Sequence, residues 1–148
     1  MKPDVRVQAD AFDSGVELAA LEQRGAGGIA SFIGIVRGDG GLEALELEHY
    51  PAMTEQALGG VAAEAARRWP LLALTVIHRH GRLVPGDRIV FVGAAAAHRG
   101  EAIAATNFVI DWLKTDAPFW KREIFGDGRS QWVEARAADD AARVKWDS

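Results

Sequence analysis

Two lysines on either side of a proline are the residues of this sequence with the clearest capacity for chemistry. Lys114 and Lys121 lie in the run DWLKTDAPFWKRE (111–123), and they are two of only four lysines in a chain with thirteen arginines. A lysine amine that sheds its proton can act as a base or a nucleophile, whereas arginine keeps its charge. The pair therefore indicates either a pocket that uses amines or two solvated surface charges.

The spacing of the two lysines leaves both interpretations open. Lys114 is expected in the last turn of a helix, where a cation interacts with the helix dipole by well under about 1 kcal/mol. Lys121 is expected in an extended segment, where alternation could turn its side chain inward or outward. Pro118 prevents one continuous helix through both lysines, because its ring clashes with the preceding turn. A chain reversal near residues 116–118 can still bring the two amines towards one site.

The pair His98–Arg99 is a second candidate for chemistry. It stands where a helix is expected to begin, and the free backbone N–H groups of a helix start can bind an anion together with a cationic side chain. A solvated helix start is the alternative, and the residues alone favour it.

Three patterns suggest a metal site, an acid/base pair or a cofactor site, but each lacks the context for it. His78 and His80 would share a strand face, yet no nearby cysteine or carboxylate completes a metal site. The alternating pattern around Glu46 and Glu48 favours the solvated face of a strand over an acid/base pair. The glycines of 25–28 precede a strand, whereas a dinucleotide fingerprint follows one. We therefore expect no metal and no cofactor.

The composition excludes several classes of function. The net charge of −4 argues against a general nucleic-acid binder, and the absence of cysteine excludes disulfides, thiolate metal sites and cysteine nucleophiles. The start of the sequence is polar and acidic, and the longest apolar run (89–97) is too short to cross a bilayer, so we expect the cytoplasm. A length of 148 residues suffices for one domain, 1–148, with its own core.

The pattern of apolar residues, turns and caps predicts alternating strands and helices. The helices are expected at about 14–24 (capped by Asp13 or Ser14), 51–69, 99–114 and 138–146, and the strands at 5–9, 29–36, 42–50, 72–79, 88–95, 119–125 and 131–135. The segments 29–36 and 42–50 are expected to form a hairpin around RGDGG, and so are the last two strands around GDGRS. Gly59 and Gly60 weaken the second helix, so we expect close packing against another backbone there. Together these features predict an α+β fold with mainly antiparallel pairing and two long helices packed on the sheet.

The sequence also resembles a known family. The runs SFIGIVR (31–37), LEHYPAMTE (47–55), VIHRHGRLVPGD (76–87), AHRGEA (97–102) and LKTDAPFWKRE (113–123), followed by WVEAR (132–136), are similar in kind and order to the large, catalytic subunit of molybdopterin synthase, the MoaE-type family. The resemblance extends over about residues 25–136. The RGDGG after Arg37 is shorter than the loop that relatives often have.

This resemblance implies a sulfurtransferase with an α/β-hammerhead-like fold. Two large subunits form a central homodimer, and each binds a small ubiquitin-like subunit to give a heterotetramer. The C-terminal Gly-Gly tail of the small subunit carries a thiocarboxylate and enters the pocket of the large subunit. Sulfur passes twice to cyclic pyranopterin monophosphate (precursor Z) and forms the dithiolene of molybdopterin. The lack of cysteine is compatible with this, because the sulfur arrives on the partner.

The resemblance also implies which residues form the site. Lys114 and Lys121 match the two active-site lysines, with Lys121 at the thiocarboxylate or acyl centre and Lys114 orienting substrate or tail and handling protons. The residues that match substrate-binding positions are Arg37, Phe32, His98, Arg99 and Arg136, the last of which is expected to reach the pocket of the neighbouring large subunit.

A protein of another class remains an alternative. A non-catalytic dimeric scaffold that captures the C-terminal tail of a ubiquitin-like protein would need a groove and aromatic side chains such as Phe119 and Trp120. It would not need six polar groups that match a reaction site, and their joint presence favours the enzyme.

Overall fold

The structure is a computed structural model that describes residues 1–22, 25–133 and Trp146. Its helices are α1 (Ser14–Leu21), α2 (Pro51–Arg68) and α3 (Arg99–Thr115). Its strands are β1 (Asp4–Gln8), β2 (Gly28–Ile35), β3 (Leu42–His49), β4 (Leu71–Arg79), β5 (Gly81–Leu83), β6 (Arg88–Ala96), β7 (Phe119–Phe125) and β8 (Ser130–Val133). The predicted α+β class is confirmed. The helix predicted at 138–146 falls outside the described residues except for Trp146.

The strands form two four-stranded sheets. Sheet 1 has the order β1-β4-β6-β2, and sheet 2 has the order β5-β3-β7-β8. β1 pairs with β4 in parallel, whereas the other described pairs are antiparallel. The predicted predominance of antiparallel pairing is therefore confirmed.

Helices cover both faces of sheet 1, and the alternation along β6 shows how. Val90, Val92 and Ala94 belong to the apolar cluster formed with α2 and α3. Phe91 and Ala95 point the other way, into a cluster with Leu21 of α1 and Phe12. Because side chains alternate across a strand, a continuous apolar run such as IVFV is what a strand buried on both faces requires.

The predicted cap of α1 and the predicted stop of α3 are confirmed, whereas α1 ends at Leu21, earlier than the predicted end at about residue 24. Asp13 caps α1, because its Oδ1 accepts hydrogen bonds from the N–H groups of Gly15 (2.9 Å) and Val16 (3.2 Å). α3 ends at Thr115, three residues before Pro118, which cannot continue it.

The predicted hairpin between segments 29–36 and 42–50 is wrong. β2 pairs with β6 in sheet 1, and β3 pairs with β5 and β7 in sheet 2. After β2 the Val36 N–H donates to the Asp87 carbonyl (2.9 Å), and Gly40 and Gly41 then take positive φ angles of 65° and 83°. RGDGG thus redirects the chain from one sheet to the other. The pairing of β7 with β8 is as predicted.

The close packing expected at Gly59 and Gly60 is also absent from the described residues. A Cβ built at either position meets no atom within 4 Å. The close backbone contact lies instead at Gly27 and Gly28, where β2 begins. A Cβ at Gly27 would lie 2.0 Å from the carbonyl oxygen of Ala97, and one at Gly28 would lie 3.0 Å from the Cα of Arg99. These two glycines let β2 lie directly against the start of α3.

Among the described helices none is long and apolar enough to span a membrane.

Gly27 should not tolerate a side chain, because the atom that a Cβ would meet is backbone and cannot rotate away. We expect Gly27→Ala to lower the free energy of unfolding by roughly 1–3 kcal/mol, the usual cost of overpacking. Urea denaturation followed by tryptophan fluorescence measures this change.

Gly60→Ala is the matched control. It lies in α2 with open space around its Cβ position, and alanine is the better helix former, so the same measurement should show a gain of up to about 1 kcal/mol. Equal effects of the two substitutions would contradict this account of the β2–α3 contact.

Candidate functional site

A cleft of about 550 Å³ lies between the two sheets, at the C-terminal end of α3. Three cationic side chains line it: Arg37 after β2, Lys114 in the last turn of α3 and Lys121 in β7. The carboxylates of Asp39 and Glu123 line it as well. The structure therefore places both lysines and Arg37 in one cleft.

The reversal between α3 and β7 brings the two lysines together. Asp116 ends the helix with its N–H donating to the carbonyl of Trp112 (2.8 Å), and the N–H of Phe119 donates to the carbonyl of Ala117 (2.8 Å). β7 begins at Phe119, immediately after Pro118, so only three residues separate the helix from the strand. Lys121 follows two positions later and is carried back beside the end of the helix.

The pairing of β7 with β3 decides which way Lys121 faces. Lys121 lies opposite Leu47, which is 1% exposed. Directly opposed residues of an antiparallel pair share one sheet face, so Lys121 lies on the inner face. Phe119 and Glu123 share that face and line the cleft, whereas Trp120 points outward and is 45% exposed. The inward orientation, which the sequence left open, is thus settled by register.

Arg37 is held at the rim of the cleft by a neighbouring carboxylate. Its Nε donates a hydrogen bond to Asp39 Oδ2 (2.7 Å), and a second guanidinium nitrogen forms an ion pair with the same oxygen. Both side chains are largely exposed, so this pair contributes at most about 1 kcal/mol. An anion with more than one oxygen can replace Asp39, because the guanidinium fork binds such groups bidentately.

His78 is a cleft residue that the sequence did not reveal as such. The sequence suggested for it only an incomplete metal site with His80. It is 6% exposed, lines the cleft from β4, and stacks on Phe119 with ring centroids 3.9 Å apart. Burial is the main cause that lowers the pKa of His78 to about 4, with a smaller contribution from the positive charges of Lys121 and Lys114 and an opposing effect of a hydrogen bond to the Arg79 backbone. His78 is therefore uncharged at neutral pH. Its place in a buried strand run, TVIHR, was the available signal.

Two further histidines lie beside His78 without forming a metal site. The rings of His49 and His80 have centroids 4.3 Å apart, and His49 Nδ1 lies 3.1 Å from Thr54 Oγ1. Partial burial lowers the pKa of His49, with a further lowering from His80 and an opposing effect from Glu55. Across residues 1–22 and 25–133 and Trp146, no group of three or more His, Cys, Asp or Glu side chains could hold a metal ion.

His98 and Arg99 lie at the other end of α3. His98 is the N-cap of the helix and makes no side-chain capping bond, and both side chains are exposed. At the usual rise per residue, Arg99 and Lys114 are separated by about 22 Å along the helix axis. Within a single chain this pair does not reach the cleft.

The two remaining predicted residues are not seen in the cleft. Phe32 in β2 is half-buried and packs against the apolar cluster that sheet 1 forms with α2 and α3. It is not among the residues that line the cleft. Arg136 lies outside the described residues. Their predicted roles in substrate binding stay predictions.

Burial of His78 should make the protein less stable in acid. Its pKa is about 4 in the folded protein and about 6.5 in an unfolded chain. As the pH falls through this window the unfolded state takes up the proton first, so the free energy of unfolding decreases. His78→Phe keeps a ring against Phe119 and binds no proton, so its free energy of unfolding should fall less between pH 6.5 and pH 4.

Urea denaturation at several pH values measures both slopes. The slope should be reduced in the variant and still present, because the lowered pKa of His49 acts in the same direction. Identical slopes for the two proteins over this window would contradict the prediction.

Comparison with known proteins shows that this chain is similar to molybdopterin synthase catalytic subunits. A relative from Pseudomonas aeruginosa, a molybdopterin synthase catalytic subunit, is 54% identical over 148 residues and covers 97% of this chain and 98% of its own length. A protein of the same name from Escherichia coli is 51% identical, over 91% of this chain and 92% of its own.

Solved structures agree with the relatives. Molybdopterin cofactor biosynthesis protein E from Burkholderia multivorans matches with a TM-score of 0.85 and 51% identity, over 100% of this chain and 99% of the other. Molybdopterin synthase from Staphylococcus aureus matches with a TM-score of 0.78 and 29% identity, over 86% of this chain and 94% of the other. The family model described as MoaE protein matches residues 7–116. With a cleft that joins Lys114, Lys121 and Arg37, and with relatives that match along nearly its whole length, this chain belongs to the MoaE protein family.

Proposed function

We propose that this chain, a single domain over residues 1–148, is the catalytic subunit of a molybdopterin synthase. It transfers sulfur from the C-terminal thiocarboxylate of a small ubiquitin-like subunit to cyclic pyranopterin monophosphate, and so forms the dithiolene of molybdopterin in molybdenum cofactor biosynthesis. The cytoplasm is the proposed location. The observation that carries the proposal is the convergence of Lys114, Lys121 and Arg37 on one cleft.

The charges of the cleft suit the two reactants. A thiocarboxylate tail and a cyclic phosphate are both anions, and their approach costs Coulomb repulsion unless fixed cations offset it. Three cations line the cleft against two carboxylates, and one of these, Asp39, is exposed and displaceable. The volume of about 550 Å³ is within the range of small-molecule sites, roughly 300–1,000 Å³.

Lys121 is the residue that we assign to the thiocarboxylate. It points inward from a strand, on the face that carries Phe119, so its position is set by sheet register rather than by a mobile loop. Its amine either stabilises the negative charge at the acyl centre or attacks that carbonyl transiently.

Lys114 and Arg37 are assigned to the pterin and to proton transfer. Lys114 enters the cleft from the last turn of α3, so it approaches from a different element than Lys121 and can contact a different reactant. Arg37, at the rim, suits the cyclic phosphate because its planar fork matches paired oxygens.

A substrate-binding role for His98 and Arg99 requires a second copy of the chain. The pair is exposed at the far end of α3 and cannot reach the cleft of its own subunit. A role in substrate binding therefore needs a homodimer in which the helix start of one subunit completes the cleft of the other. The role proposed for Arg136 also needs a homodimer, because the family resemblance assigns that residue to the pocket of the neighbouring subunit.

Removal of either amine should stop sulfur transfer. We expect Lys121→Ala and Lys114→Ala each to lower turnover on the order of 100-fold or more, the usual loss for a group that stabilises charge in the transition state. Molybdopterin formed from thiocarboxylated partner and precursor Z measures turnover. Lys2→Ala is the control. This lysine is exposed near the N-terminus and does not line the cleft, so its substitution should leave turnover unchanged.

A binding assay separates the enzyme from a tail-capturing scaffold. An enzyme converts precursor Z when mixed with thiocarboxylated partner, and its Lys121→Ala variant still binds the partner while losing turnover. A native protein that binds the tail and forms no molybdopterin would establish the scaffold, and near-normal turnover of Lys121→Ala would remove the role assigned to that residue.

Mixed dimers test whether the cleft is completed by a second subunit. Lys121→Ala and Arg99→Ala should each be inactive alone. In a mixed dimer one cleft carries both substitutions and the other carries neither, so random mixing should restore about a quarter of native turnover. No recovery on co-refolding or co-expression would mean that Arg99 serves the cleft of its own chain, and native turnover of Arg99→Ala alone would mean that it serves none.

A further inference from the structure

His78 is a buried titratable group in the cleft that the proposed mechanism does not use. It comes from β4 of sheet 1, whereas Lys121 and Phe119 come from β7 of sheet 2, and the stacking of His78 on Phe119 joins the two sheets at the cleft wall. A neutral imidazole has one donor and one acceptor, and their positions decide what it can do there.

The backbone determines which nitrogen of His78 carries the proton. Nδ1 lies 2.8 Å from the carbonyl oxygen of Arg79. A carbonyl oxygen only accepts hydrogen bonds, so Nδ1 must donate and hold the hydrogen. Nε2 is then the acceptor of the ring, in a side chain that lines the cleft.

Lys121 and His78 are near neighbours in the lining of the cleft. The His78 ring is nearly parallel to Phe119, with an interplanar angle of 16°, and Lys121 follows Phe119 by two residues on the same strand face. Its positive charge acts on His78 more strongly than that of Lys114 or His49. The other charged side chains that line this cleft are Arg37, Asp39 and Glu123.

We propose that His78 is a positioning residue for Lys121: the Nε2 lone pair accepts a hydrogen bond from the lysine amine and directs it into the cleft. This role rests on the proposed function of Lys121 in sulfur transfer. A neutral acceptor suits the task better than a carboxylate, because it orients the amine without cancelling the positive charge that the anionic reactants require.

Substitutions at His78 separate the acceptor from the ring. His78→Phe keeps the stacking on Phe119 and removes the acceptor, so kcat should fall about 10- to 100-fold, as for loss of a hydrogen bond to a charged group. KM and the Kd for the small subunit should change less than about threefold. His78→Gln, whose amide oxygen can replace Nε2, should recover part of kcat.

The control is His80→Phe, which alters a neighbouring histidine outside the cleft lining and should leave kcat unchanged. A native kcat in His78→Phe would overturn the positioning role and leave the proposed function intact, because the native protein is assayed in parallel. An equal loss in His78→Phe and His78→Gln would also overturn it, since the acceptor would then not be what matters.

A measurement on the native protein keeps the inference testable if the variants fold poorly. Long-range proton–nitrogen NMR spectra of the histidine side chains at pH 7 should show His78 with a protonated Nδ1 and a bare Nε2, and the Nε2 shift should move in Lys121→Ala. A protonated Nε2 would overturn the proposal, and so would an Nε2 chemical shift that is the same in the native protein and in Lys121→Ala. This readout needs no turnover, so it stands apart from a failure of the sulfur-transfer assay.

Discussion

The tight reversal from α3 into β7 is the constraint on which the site depends. Because Pro118 cannot continue the helix, the chain leaves α3 at Thr115 and enters a strand at Phe119, after three intervening residues. A helix end and a strand start are thereby held side by side, and each presents one amine to the same space. Elements of regular structure hold side chains more firmly than loops do, which suits a reaction that needs two groups in fixed relation.

The cleft gathers like charges, and this arrangement has a cost when no anion is bound. Arg37, Lys114 and Lys121 repel one another in a partly enclosed space where charges are less screened than in water. Asp39 and Glu123 offset part of the repulsion, and the neutral state of His78 avoids adding to it. Under the proposed function, the binding of two anionic reactants would relieve the remainder. The protein therefore holds in its resting state the electrostatic field that the reactants complete, as preorganised sites do.

Local sequence signals predicted the helices and strands well, but they predicted less well which strands pair with each other. The cap at Asp13 and the stop before Pro118 were correct, since each residue acts on backbone within a few positions, whereas α1 ends at Leu21, earlier than predicted. The hairpin joining 29–36 to 42–50 was wrong, because alternation shows that a strand has a buried face without showing which strand pairs with it. The glycines were misjudged for the same reason. Gly59 and Gly60 stood out by helix propensity, yet the close contact is at Gly27, whose neighbour Ala97 is distant in sequence.

The amino-acid pattern alone was enough to predict where α3 stops, to show amines, arginines and histidines in a family pattern, and to show that the chain supplies no thiol. The folded chain was needed to show that Lys121 faces inward, opposite the buried Leu47, and that His78 reaches the same cleft from the other sheet. It also placed His98 and Arg99 at the far end of α3, away from their own cleft. The physical reason is that backbone preferences act over a few residues, whereas strand partners and buried faces follow from packing summed over the whole chain.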